Sequence, residues 1–285
     1  MSHAAQPAVT LSSLSIYPVK SMQGIALETA TLTCQGLKHD RNWMIVDDQC
    51  QFITQRELAK LALIVPTLAP DGLVLSSPEG ASITVPFAPP AGEHMTTQVW
   101  GQTCSVVDEG EAVSRWLADA LRYKRPLRLV RMTPNTQREQ TLPEVLGEDT
   151  RVQFADAAPF LVASEQSLAA LNGALTAKGE QAVPMNRFRP NIVLAGLAAF
   201  REHDLAGISG RNFRMQFRMP CERCVITTID QHTAQRHPRG EPFKTVRALN
   251  PANDKPKSPV FGHYATLAAG EEVVISCGDQ ITLLD

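Results

Sequence analysis

The amino-acid sequence predicts a β-rich α+β protein, a β-barrel or sandwich with helical additions, on three observations. Short runs alternate apolar and polar residues, clusters of Gly, Pro and Asp separate those runs, and two segments carry apolar residues at helical spacing. With 285 residues, 44% of them hydrophobic and 20% charged, the chain can bury a core without covalent staples and has the composition of a globular protein.

In chain order, strands are expected at Val9 to Tyr17, Ile25 to Thr33, Asn42 to Val46, Leu73 to Ser76, Ile83 to Phe87 and Thr97 to Val107. Glu109 to Arg122 reads as a helix, because Val113, Trp116, Leu117 and Leu121 share one face, with acids at its start and Arg122 at its end. A strand follows at Leu127 to Met132. The polar stretch Thr133 to Arg151, with Pro134, Pro143 and Gly147, reads as an exposed loop. Ser164 is placed to cap a helix running to about Lys178, whose Leu168, Leu171 and Leu175 fall together. Strands are expected again at Asn191 to Ala195, Asn212 to Met219, Val225 to Asp230 and Glu272 to Cys277. The switch in pattern near Tyr123 to Pro126 divides the chain into an amino-terminal β-rich domain, 1–125, and a second domain, 126–285.

Neither a signal peptide nor a membrane helix is expected. Met1 to Ser12 has no basic residue ahead of an apolar core, and the apolar run Ile192 to Phe200 is short and broken by Gly196. The six cysteines, at 34, 50, 104, 221, 224 and 277, form no disulfide framework, which suits a reducing cytoplasm. Net charge is −2, unevenly spread: Arg187 to Lys257 holds 13 Lys and Arg against 6 Asp and Glu, the remainder 14 against 23. Such an excess suits an anionic ligand or a solvated basic face. The cations are scattered with few aromatics among them, so nucleic acid is not an expected partner.

Three motifs stand out. In Cys221-Glu222-Arg223-Cys224 a Pro-marked turn leads toward an apolar run, and Arg223 beside Cys224 would favour a thiolate. The spacing alone leaves several readings open: buried structural cysteines, a zinc site lacking a second compact ligand pair, a dithiol redox pair outside its usual helix-start setting, or a single metal-ligating thiolate. Arg187-Phe188-Arg189-Pro190-Asn191 places two guanidinium forks and an amide at the mouth of an apolar strand, where they suit phosphate oxygens or a surface ion pair. Tyr17-Pro18-Val19-Lys20-Ser21 is a Pro turn that can direct an ammonium and a hydroxyl at an anion, or simply end a strand. Walker, Rossmann, nucleophile-elbow and His-Glu-x-x-His patterns do not occur.

Together and in this order these motifs, with Asp40-Arg41, Thr227-Thr228 and Phe261-Gly262-His263-Tyr264, resemble the MOSC superfamily, the molybdenum cofactor sulfurase carboxy-terminal domain proteins. The likeness runs nearly end to end and is greatest to the bacterial YcbX type and the mitochondrial amidoxime-reducing components. It implies a MOSC β-barrel beside a smaller β-rich amino-terminal domain, with molybdenum bound to molybdopterin between them. By that resemblance Cys224 is the metal ligand and catalytic centre. Lys20, Ser21, Arg41, Arg189, Asn191 and Arg223 match positions around the pterin and its phosphate, and Ser164, Glu165, Thr227 and Tyr264 are weaker carry-overs. The role of Cys221 is left open.

The activity this implies is reduction of N-hydroxylated or N-oxidised small molecules, amidoximes and N-hydroxylated base analogues among them. Some YcbX-type proteins add a carboxy-terminal ferredoxin domain, whereas this sequence has no Cys-x4-Cys-x2-Cys run, so electrons are expected from an external flavin, haem or iron-sulfur reductase. The alternative is a carrier that holds molybdenum cofactor or a sulfur atom without turnover. Sulfurases of that kind bring a pyridoxal-phosphate desulfurase domain, for which no lysine motif is evident.

Overall fold

The computed structural model describes residues 8–92, 94–133, 136, 138–140, 142–250 and 258–285. Its centre is a closed barrel of seven strands, and the first strand shows how the sequence builds it. In Val9–Ile16 the alternation of inward and outward residues slips at Ser12-Ser13. A register shift against Ile192–Ala195 falls between Leu11 and Ser13, so Leu14 and Ile16 return to the interior. Around the barrel the order is Ile192–Ala195, Phe160–Ser164, Val260–Ala269, Arg214–Glu222, Gly207–Ser209, Gln280–Leu284 and Val9–Ile16, which pairs back to Ile192–Ala195. Phe160–Ser164 and Ile192–Ala195 run parallel; their neighbours are antiparallel. Leu11, Phe160, Ile192, Ile208 and Met215 fill the interior.

A second sheet orders Trp43–Asp47, Leu127–Met132, Gln102–Asp108 and His94–Val99. Every residue of Trp43–Asp47 is buried, because the sheet is covered on both faces. Trp43 and Ile45 join the core beneath the Glu111–Leu121 helix, while Met44 and Val46 pack with Val106 and Phe154. That helix buries Val113, Leu117 and Leu121, four residues apart, and ends where Arg122 turns left-handed (φ 47°). Strand pairing crosses the division expected at residue 125, since Val9–Ile16 belongs to the barrel and Leu127–Met132 to the second sheet.

The β-rich α+β class is the one observed, with four α-helices among the described residues. Several element boundaries differ from expectation. Thr97 to Val107 is a hairpin rather than one strand, turning at Trp100-Gly101. The Thr133 to Arg151 stretch contains a short helix, Pro143–Leu146, and a two-residue strand pair; its Arg138 and Leu146 are buried, while Pro134 lies outside the described residues. Val225–Thr228 is a 3-10 helix, not a strand. Its threonines decide this: the hydroxyl of Thr227 donates to the carbonyl of Cys224 (3.0 Å) and that of Thr228 to Val225 (2.7 Å), satisfying locally what a strand partner would satisfy. Among the described residues no helix is long and apolar enough to cross a membrane.

Candidate functional site

The Tyr17-to-Met22 turn is threaded against Arg41 to Trp43 by backbone hydrogen bonds, Lys20 N to Trp43 O (2.8 Å), Trp43 N to Pro18 O (3.0 Å) and Arg41 N to Tyr17 O (3.0 Å). The Arg41 carbonyl in turn accepts from Phe154 N (3.0 Å), which brings the Phe154-to-Asp156 segment alongside. From the barrel come Arg189, at the entry to its Ile192–Ala195 strand, Cys224, just beyond Arg214–Glu222, and Tyr264 on Val260–Ala269. These segments line a cleft that opens to solvent, about 750 Å³ in volume when the solvent space at its mouth is included.

The cleft is strongly basic. Lys20, Arg41, Arg56, Arg189 and Arg223 line it, against the carboxylate of Asp156. Ser21, Arg41 and Arg189 all hold left-handed backbone conformations (φ 71°, 49° and 56°), and strain of this kind in non-glycine residues concentrates where side chains must be aimed. The Arg41 and Arg189 guanidinium carbons lie 4.4 and 4.2 Å from the centroid of the Tyr17 ring. Arg189 donates to the carbonyl of Met22 (2.7 Å). Burial, then the neighbouring charge of Arg41, lowers its pKa to about 10. Lys20, 6% exposed, donates to the carbonyl of Phe154 (2.9 Å) and pairs with Asp156. Burial lowers the Lys20 pKa against the pull of Asp156. In Asp156 the desolvation that would raise its pKa is overcome by Lys20 and the Trp100 indole, which hold it well below the usual carboxylate range.

The two cysteines differ. Cys221 is fully buried, whereas Cys224 is half-buried and lines the cleft. The hydrogen bonds of Arg223 go to Cys221 and not to Cys224: its Nη1 lies 2.7 Å from Cys221 Sγ and its Nη2 donates to the carbonyl of Phe188 (2.8 Å). Arg223 Nε is buried without a hydrogen-bond partner. The Tyr264 hydroxyl also bonds the Cys221 sulfur, and burial pushes both this phenol and the Cys221 thiol up in pKa.

Of the residues singled out in sequence, Lys20, Ser21, Arg41, Arg189, Asn191, Arg223, Cys224 and Tyr264 converge on the cleft. Asn191 is nevertheless committed to the fold, accepting from Leu161 N and donating to Ser15 O (3.2 Å each). Thr227 is buried behind Cys224, whose carbonyl its hydroxyl engages. Ser164 and Glu165 are not at the cleft. Ser164 caps the Glu165–Thr176 helix, accepting from Gln166 N (3.1 Å) and donating to Leu197 O (2.9 Å), and Glu165 is exposed in that helix's first turn. Asp156, Arg56 and Gln55, which sequence reasoning missed, line the cleft; each sits in a segment without a periodic or motif signal. The paired Arg-Asp and Lys-Ser residues were legible because charged residues beside a Pro turn or an apolar strand stand out. In sum, the cleft offers one accessible thiol as a soft ligand, several cations for an anionic group, and an orphaned guanidinium N–H.

Residues 8–124 match the MOSC N-terminal beta barrel domain and residues 149–282 match the MOSC domain. Mitochondrial amidoxime-reducing component 1 of Xenopus laevis is 32% identical over 284 residues, covering 95% of this chain and 81% of the relative. The component 1 of Homo sapiens is 32% identical over 287 residues, 96% of this chain and 83% of the relative. Mitochondrial amidoxime reducing component 2 of Bos taurus is 30% identical over 268 residues, 90% and 78% respectively.

Proposed function

The chain belongs to the MOSC-domain family, with mitochondrial amidoxime-reducing components among its relatives, and from that premise we propose that it is a molybdenum-cofactor-dependent reductase of N-hydroxylated or N-oxidised small molecules. The observation that carries the reading is the half-buried thiol of Cys224 in a cleft lined by five cations. The donor set fits the cofactor: a thiolate is a soft ligand for molybdenum, guanidinium forks match phosphate oxygens, and the unpartnered Arg223 Nε is a donor awaiting an acceptor.

Cys224 Sγ would ligate the metal. Arg41, Arg189, Lys20 and Ser21 would hold the anionic parts of the pterin, the Tyr17 ring keeping the two arginines in place from behind. Arg223 and Tyr264, pinned to Cys221, would fix the wall beside Cys224. When bound, the molybdenum centre supplies the two-electron removal of oxygen from an N–O bond. The overall reaction takes up two electrons and two protons, cleaves the N–O bond and releases water. The electrons come from an external flavin, haem or iron-sulfur protein and the protons from solvent through the open cleft. We place the protein in the cytoplasm.

The test is molybdenum analysis of the protein from a host that makes the cofactor, beside Cys224→Ala, with turnover of an amidoxime by a chemical electron donor. Near-stoichiometric molybdenum that disappears in the variant, together with turnover, is the expected outcome. Stoichiometric metal without turnover replaces the reductase by a cofactor carrier, and full metal content in Cys224→Ala removes the assignment of the ligand.

A further inference from the structure

The hairpin joining His94–Val99 to Gln102–Asp108 turns in two residues, Trp100 and Gly101, both with positive φ (53° and 83°). A turn of this kind is ordinarily made by Asn-Gly, because a bulky side chain is disfavoured in the left-handed region. The sequence places its largest side chain there instead. Trp100 is 40% exposed, among the few large apolar residues at the surface. It is also held in place: the indole Nε1 donates to Asp156 Oδ1 (3.1 Å), and Phe52 packs edge-on at 5.2 Å. The Arg56 guanidinium lies 5.2 Å from the ring centroid and the Lys20 ammonium 5.9 Å. Asp156, Arg56 and Lys20 all line the cleft, so the indole stands directly behind its lip. Backbone strain, fixed side-chain geometry and residual exposure coincide at one residue whose charged partners, Asp156, Arg56 and Lys20, all belong to the site, and such strain persists where a function needs it.

We propose that Trp100, with Arg56 on its ring, is a specificity-determining element that selects substrates whose N–O group is carried by a planar aromatic or heteroaromatic ring over those on an aliphatic chain. The inference rests on the reductase reading and names the substrate class of that same cleft. Arg56 lines the same cleft as Cys224, so an aryl group seated there is offered a planar guanidinium backed by an indole, a surface suited to offset stacking and cation–π contact. An aliphatic group gains neither. The selection appears in substrate affinity, not in the chemical step, because Trp100 stands outside the cleft lining.

The experiment is calorimetric binding to the cofactor-loaded protein without an electron donor, so that substrate is not consumed. Benzamidoxime is compared with acetamidoxime on wild type, Trp100→Phe and Trp100→Asn. Trp100→Asn installs the favoured Asn-Gly turn, so the hairpin is not weakened, and a melting temperature at or above wild type checks this. We expect wild type to favour the aryl compound by roughly three- to tenfold, Trp100→Phe to keep most of that preference, and Trp100→Asn to lose it with acetamidoxime affinity unchanged. In turnover, KM for benzamidoxime then rises in Trp100→Asn while kcat holds. An unchanged preference in Trp100→Asn, an equal loss for both ligands, or no measurable binding of benzamidoxime to wild type overturns the proposal. Aryl-selective binding lost in Trp100→Asn, in a protein that reduces neither compound with a chemical donor, would sink the reductase reading and leave the aryl selection standing.

Discussion

Arg189 and Tyr17 are stacked, guanidinium carbon 4.2 Å from the ring centroid, and Arg41 reaches the same ring at 4.4 Å. Two like charges are thus held against one aromatic ring, with the Arg189 pKa brought down to about 10 by burial and by Arg41. An oxyanion between them relieves that repulsion. Phosphate at tenfold above its Kd should therefore stabilise the cofactor-free protein by about 1.4 kcal/mol, roughly 2–4 °C in Tm. Thermal melts in phosphate and in chloride at equal ionic strength, on wild type and Arg189→Met, check this. An equal gain in both proteins would place the anion elsewhere.

The fold class was legible because alternation and helical spacing are local signals, and the register slip at Ser12-Ser13 did not hide the first strand. What escaped depends on long-range packing. Val260–Ala269, a ten-residue strand, carries Gly262, His263, Tyr264 and Thr266 among its apolar residues, so it shows no clean alternation. Tyr264 meets the cleft, His263 faces His203 and Thr266 accepts from Arg218, so these polar side chains find partners within the fold instead of solvent. Val225–Thr228 misled in the other direction, because β-branched residues favour strands until their own hydroxyls offer the backbone a local partner. At the site, residue types at Lys20-Ser21, Arg41, Arg189 and Cys224 were readable. The left-handed backbone that aims three of them, and the swing of Arg223 onto Cys221, were not, since neither changes residue type or spacing.

Glu202 is fully buried and, among the described residues, has no ion-pair partner; both its carboxylate oxygens accept from Ser167 Oγ, at 2.8 and 2.9 Å. Burial raises its pKa to about 6, against those hydrogen bonds. A group whose folded pKa lies above its unfolded value contributes stability below the unfolded pKa, here near 4.5, and loses it as pH rises through 6. Glu202→Gln should therefore stabilise the protein by about 2 kcal/mol at pH 8 and by nothing at pH 4.5. Urea denaturation at the two pH values decides it, and an equal effect at both would mean that the charge is not the cause.

His203 and His263 face each other across 3.3 Å between their Nδ1 atoms, one ring against Asn250 and the other stacked on Phe217. Burial lowers their pKa values to about 4 and about 3, with the charge of His203 adding to the shift of His263. Depressed histidines give the opposite sign to Glu202: their stabilising contribution is complete above pH 6.5 and is lost as pH falls toward 4. Stability should decline over that window by up to about 1.4 kcal/mol per pH unit for each histidine. His263→Phe should flatten the decline, and a slope unchanged in that variant would move the acid sensitivity to another group.

Cys221 and Cys224 should separate in both reactivity and role. Cys221 is fully buried, its sulfur engaged by Arg223 and by the Tyr264 hydroxyl, and burial keeps it a thiol. Cys224 is half-buried at the open cleft. Iodoacetamide on the folded, cofactor-free protein should alkylate Cys224 and spare Cys221, read by peptide mass spectrometry, because reaction requires an accessible thiolate. Replacing Cys221 by Val leaves the Tyr264 hydroxyl and an Arg223 N–H without their acceptor, an expected loss of about 2 kcal/mol, whereas Cys221→Ser restores an acceptor oxygen and most of that stability. Molybdenum content should follow the same order, wild type and Cys221→Ser above Cys221→Val, since the sulfur holds in place two side chains that line the cleft. Alkylation of Cys221 at the rate of Cys224, or equal metal content in Cys221→Val and wild type, would show that the Cys221 sulfur does not organise the cofactor wall.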